Sequence, residues 1–115
     1  MSDKVDHSLG RLRDRVRRAP SAIHGNGCFA RVRFAPGDHI GTYEGPVATR
    51  DGTYVLWVHA PGEEPVGRSG RNLLRYLNHR DDPNAGFDGF ELYARRQIEP
   101  DEEITIDYGG GEESV

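Results

Sequence analysis

Residues 29–45 read FARVRFAPGDHIGTYEG and residues 93–109 read YARRQIEPDEEITIDYG. At a fixed offset of 64, Ala30 meets Ala94, Arg31 meets Arg95, Pro36 meets Pro100, Ile40 meets Ile104 and Gly45 meets Gly109. Aromatic Phe29 falls opposite Tyr93, and apolar Phe34 opposite Ile98. Each stretch places a Pro-led turn between two short segments with apolar members, which predicts strand, turn, strand. Two similar hairpin-like units around a middle insert predict a small, mainly β, pseudo-symmetric domain of short strands with one or two short helices.

The first unit is expected to hold strands over residues 29–34 and 40–43. In the insert, residues 54–58 (YVLWV) predict a short buried strand, residues 61–70 a polar loop, and residues 73–77 a short helical piece. Upstream, Leu12 and Val16 stand at helical spacing, but alternation with arginine also fits a strand, and both readings stay open up to Pro20. The domain is expected over residues 19–109, with a basic, flexible arm over 1–18 and an acidic tail over 110–115.

A chain of 115 residues is one domain. With 15 Gly and 7 Pro it is no long helix or coiled coil, and no apolar run reaches the roughly 20 residues of a membrane span. The basic N-terminus is followed by no apolar stretch, so no secretory signal is expected. A single cysteine, Cys28, excludes an internal disulfide and a multi-Cys zinc site, and points to a reducing, cytoplasmic setting. Residues 1–33 carry eight Lys/Arg against three Asp; residues 34–115 carry seven against sixteen Asp/Glu. An acidic body suits a cationic partner such as a Lys/Arg-rich peptide, while the basic arm alone favours phosphate. Direct nucleic-acid binding is therefore not expected as the main role.

Several chemistries fall away. Gly25-x-Gly27-x-x-Ala30 has the letters of a dinucleotide fingerprint, but no long strand precedes it and a Pro-Gly turn follows. His79, Asp81 and Asp82 before Pro83 read as a turn, so no metal site is expected. Neither Ser21 nor Ser69 stands on a nucleophile elbow, and Cys28 reads as a small core residue.

What remains is an ordered set of dispersed segments: HGNGCFA (24–30), PGDHIGTYEG (36–45), RYLNH (75–79), PN (83–84) and ARRQIEPDEEITIDY (94–108). Together they resemble the SET domain, the protein-lysine methyltransferase family that uses S-adenosylmethionine, over residues 21–109. The resemblance implies a β-clip fold whose C-terminal segment threads under an adjacent loop as a pseudoknot. It implies that the backbone of His24, Gly25, Asn26 and Gly27, together with Tyr54, Arg75, Asn78, His79 and Tyr108, forms the cofactor site. It implies that Tyr108 and Tyr43 are the catalytic tyrosines, and that Phe87 and Ile106 line the lysine channel with them. Both of the latter are apolar, which implies di- or trimethylation. Its protein substrate is expected to be basic.

Some positions depart from the family pattern: Arg80 stands for the usual Ser, Asp82 for Cys, and Arg71 for Gly. No Cys-rich segment flanks the domain and no aromatic follows Gly109 to close the channel, so either a homodimer completes it or the channel is open and the enzyme slow. The alternative is a non-catalytic β-clip module that binds a peptide or another partner.

Overall fold

A computed structural model describes residues 11–108. The first ten residues of the expected arm and the whole expected acidic tail lie outside that range. The order is α1 (Leu12–Arg15), β1 (Val16–Pro20), β2 (Asn26–Ala30), β3 (His39–Thr42), β4 (Val47–Ala48), β5 (Val55–Val58), β6 (Val66–Ser69), a 3-10 helix (Leu73–Tyr76), β7 (Asn78–His79), β8 (Ala85–Asp88), β9 (Glu91–Ala94) and β10 (Glu103–Ile106). Three small sheets result, β1-β2-β10-β7, β3-β9-β8 and β4-β6-β5. The last strand is internal: β10 runs antiparallel to β2 and parallel to β7. Asn84 fastens it, accepting from Thr105 N–H at 2.9 Å and donating to Glu103 O at 2.8 Å.

The repeat is a repeat of hydrogen bonds. Phe34 and Ile98, equivalent by the offset of 64, exchange both main-chain bonds at 2.9 Å. Around that pair the contacts recur in twos. Asp101 N–H donates to Ala30 O (2.7 Å) as Gly37 N–H donates to Ala94 O (2.8 Å). Ala30 N–H donates to Glu102 O (3.0 Å) as Ala94 N–H donates to Asp38 O (2.9 Å). The register Phe29↔Glu103 is matched by Tyr93↔His39. The left-handed turn position is Gly37 in one unit (φ 90°) and Asp101 in the other (φ 74°), a residue type that tolerates it better than most. Ala30 and Ala94, Phe34 and Ile98, and Ile40 and Ile104 are all buried, so the repeated positions make the core.

The local expectations are corrected in four places. The first strand runs over Asn26–Ala30 rather than residues 29–34, because Phe34 must leave β2 to reach Ile98. Residues 66–69, expected in a polar loop, form β6 between β4 and β5. Arg68 reads as polar, yet its guanidinium lies 4.0 Å from the Phe90 ring centroid and donates to Tyr43 O at 2.8 Å. The helical piece at 73–77 is a single 3-10 turn. Finally, residues 11–18 belong to the folded unit instead of a flexible arm. One helical turn gives way to β1, whose five residues all pair with β2, with Val16 fully buried. Both open readings of this segment are realised in succession.

Removing residues 1–20 is accordingly expected to destabilise the domain. Burial of Val16 alone contributes about 1.5–3 kcal/mol, and about 4–8 °C of melting temperature accompany each kcal/mol in a domain this small. Thermal melting followed by circular dichroism checks this. An unchanged midpoint would return the segment to a dispensable arm.

Candidate active site

The turn before β2 is organised from inside the protein. Ser21 N–H donates to Gly25 O at 2.8 Å, and Ser21 Oγ accepts from Ile23 N–H at 2.9 Å. Asn78, 7% exposed at the start of β7, directs its amide nitrogen at His24 O (3.0 Å), Asn26 O (3.2 Å) and the Glu103 carboxylate (2.9 Å). Ser21 Oγ donates to the same carboxylate, 2.8 and 2.9 Å from its two oxygens. Glu103 reaches this place because Gly27 has no side chain: a Cβ there would fall on the carboxylate. Thus Gly27 makes room for a protein group, and the Asn78 amide is spent on holding the turn. Beyond the turn, no atom lies within 4 Å of where a Gly25 side chain would sit.

A second group is aromatic. The ring of Tyr43 is buried edge-on to Phe87, with centroids 5.8 Å apart, and its hydroxyl donates to Tyr54 O at 2.5 Å. Tyr54 itself is 41% exposed and meets Tyr76 edge-on. Arg75 stacks 4.5 Å from the Tyr76 centroid and 6.0 Å from that of Tyr54, while donating to Arg71 O and Asn72 O. It thereby braces the two rings from behind.

Tyr108 completes the arrangement. Its hydroxyl donates to Leu77 O at 2.7 Å, and its N–H donates to His79 Nδ1 at 3.1 Å. That contact leaves His79 Nε2 to carry the proton toward Asp81, 3.0 Å away. Ile106 is buried and pairs with His79 across β10 and β7. Tyr108 remains 64% exposed.

The tyrosines are electrically linked. Burial pushes the Tyr43 hydroxyl up to about 12, the Tyr108 hydroxyl adding to the rise and Arg75 opposing it. Burial also raises Tyr108. Both groups stay protonated at neutral pH, and both protons are committed to main-chain carbonyls. Each oxygen is thus left as an acceptor. Neither is a base.

All the residues expected from the sequence fall into these connected groups. Ser21 and Glu103 were missed as site residues. They lie 82 positions apart, and only the empty side of Gly27, facing the one acid of β10, signals them. Cys28 is fully buried, and burial followed by the Glu103 charge pushes its thiol up to about 12, far from a nucleophile's range. Among the described residues no group of three or more His, Cys, Asp or Glu could hold a metal ion.

Two raised groups have a consequence in alkali. Cys28 and Tyr43 are held neutral by the fold above their ordinary values of 9.0 and 10.0. The unfolded chain ionises first, so their contribution is intact at neutral pH and is lost as pH climbs toward about 12. The urea midpoint is expected to fall across this window, and less steeply in Cys28→Ala. A midpoint that is flat with pH would contradict the burial of both groups.

The SET domain family matches residues 25–109 of this chain. No curated protein matches it. Among solved structures, the methyltransferase domain of human PR domain-containing protein 2 superposes with a TM-score of 0.66 at 24% identity, over 91% of this chain and 84% of that one. A candidate histone methyltransferase of Plasmodium falciparum superposes with a TM-score of 0.65 at 20% identity, over 84% and 94%. At such identities these structures speak for the fold. The family match covers both repeated units and Asn78 between them, and the chain belongs to the SET domain family.

Proposed function

We propose that this chain is an S-adenosylmethionine-dependent protein-lysine methyltransferase. The observation that carries the reading is the pair of tyrosine hydroxyls, Tyr43 and Tyr108, each donating to a main-chain carbonyl and each left with an oxygen that only accepts. Such oxygens suit an amine nucleophile, whose N–H they orient, and a polarised methyl group, whose C–H they contact weakly.

The residues fit the cofactor. The faces of Tyr54 and Tyr108 are partly exposed and suit a sulfonium, a cation that favours aromatic faces. The open space at Gly25 gives the His24–Gly27 backbone a free side. When bound, S-adenosylmethionine supplies an electrophilic methyl group. Everything else falls to the chain. Tyr43, Phe87 and Ile106 form apolar walls that disfavour the ammonium form of a lysine whose ordinary pKa is near 10.4. Tyr108 aligns the free amine. No protein base is needed, and positioning supplies much of the rate. Because Phe87 and Ile106 bring no hydroxyl to the channel, the product is di- or trimethyl-lysine.

Calorimetric titration of S-adenosylmethionine, followed by labelled-methyl transfer to a lysine peptide and mass spectrometry, tests this. We expect saturable one-site binding, transfer, and products beyond monomethyl. Neither binding nor transfer, with and without a lysine-rich peptide, would leave a β-clip binding module. Monomethyl product alone at long times would overturn the channel assignment.

A further inference from the structure

Five arginines gather on one side of the 3-10 helix. Arg11 and Arg13 from the start of the folded unit meet Arg71 and Arg75 around an open groove of about 510 Å³, with Leu12, Leu73 and Asn72 completing its lining. Arg18 adjoins it, its guanidinium 5.7 Å from the centroid of the same Tyr76 ring that Arg75 covers. Elsewhere on the described surface three arginines pair with acids, Arg17 with Asp101, Arg33 with Glu99 and Arg96 with Asp82, and the others outside the groove are scattered. The five around the groove form no salt bridge among the described residues. Arg11, Arg13, Arg18 and Arg71 are exposed. A chain of formal net charge −4 thus gathers, in one groove, guanidinium groups that no described acid pairs with.

We propose that this groove docks an acidic segment of a partner protein, with carboxylates on the arginines and an apolar side chain on Leu12 and Leu73. Guanidinium groups favour carboxylate and phosphate alike through paired N–H donors. The lining decides between them. Single-stranded nucleic-acid grooves use aromatic platforms for the bases, and no aromatic side chain lines this one. Two leucines on its floor serve a peptide instead. This face repels a uniformly basic substrate, so the acidic segment lies apart from any target lysine. The proposal requires no methyl transfer, since docking is measured without cofactor, and either reading can fail alone.

The test is fluorescence anisotropy with a labelled peptide of repeated Glu-Glu-Leu triplets, the same peptide with Gln for Glu, and a labelled oligothymidylate of equal charge. Saturable binding of the Glu peptide is expected, weakening as salt rises from about 50 to about 200 mM. The exposed double change Arg11→Glu/Arg13→Glu, and separately Arg71→Ala, are each expected to weaken it about tenfold or more. Arg50→Glu, elsewhere on the surface, leaves it unchanged. Thermal melting confirms that each variant folds. Absence of saturation, equal binding of the Gln peptide, or indifference to the groove variants would overturn the proposal. Tighter binding of the oligothymidylate would reassign the groove to nucleic acid. A dimer in sedimentation that the groove variants dissolve would reassign it to a second copy of the chain.

Discussion

Tyr108→Phe is expected to lower methyl-transfer turnover about 100-fold, the scale on which lost alignment of reactants acts, with the domain still folded. The change removes one oxygen. The ring stays 5.5 Å from that of His79, and the main-chain bond to His79 Nδ1 does not involve the side chain. Only the bond to Leu77 O disappears, and a net intramolecular hydrogen bond is worth about 1 kcal/mol. Turnover suffers more, because the hydroxyl oxygen is the acceptor that orients the amine. Tyr43→Phe behaves differently. Tyr43 is buried and holds Tyr54 O, so turnover and melting temperature fall together. Single-turnover rates beside melting curves separate the two. Normal turnover in Tyr108→Phe would remove that residue from the mechanism.

The second large effect is at Asn78. Its amide nitrogen shares two N–H groups among two carbonyls of the 24–26 turn and the Glu103 carboxylate, and Asn78→Ala removes both donors from this network. These acceptors are part-buried, so each lost bond costs about 0.5–1.5 kcal/mol net, more at the charged one. The variant is expected to melt well below the parent and to lose S-adenosylmethionine affinity by about tenfold or more, since the turn is no longer held. Glu103→Gln keeps the shape and removes the charge, so it should fall between the two. Hydrogen exchange at the amides of residues 23–27 reports the turn directly. If Asn78→Ala exchanges and binds like the parent, the turn is held by something other than this network.

The repeat was legible, but its units were expected as hairpins; instead the strands pair across the units, β2 with β10 and β3 with β9. Phe34 and Ile98 are equal in the repeat and are also bonded to each other, while Ala30 and Ala94 make matching bonds to the opposite unit. Tyr43, Asn78 and Tyr108 were legible through the family's ordered segments. What escaped has no local pattern. Ser21 and Glu103 meet only through Gly27's vacancy. Arg68 looks like a loop residue until Phe90 is beneath it. Arg11 and Arg71 share a groove although 60 positions separate them. The stretch over 11–18 was ambiguous because a helical turn and a strand follow each other within eight residues, a span shorter than either pattern needs to declare itself.

The mirrored bonds also impose an order on events during synthesis. Every partner of the 30–38 segment in that symmetric set lies in 94–102, so that set of main-chain bonds waits for the second unit, although β1 already pairs with β2 and Arg31 N–H with Arg15 O. The first unit's apolar members, Phe34 and Ile40 among them, stay exposed until nearly the whole chain is available. The domain therefore completes its folding only once residues 94–106 are available, and slowly for its size, as topologies dominated by distant contacts do. In the interval the nascent first unit is the part most prone to pair with a neighbouring copy of itself, whose equivalent segment offers the same edge.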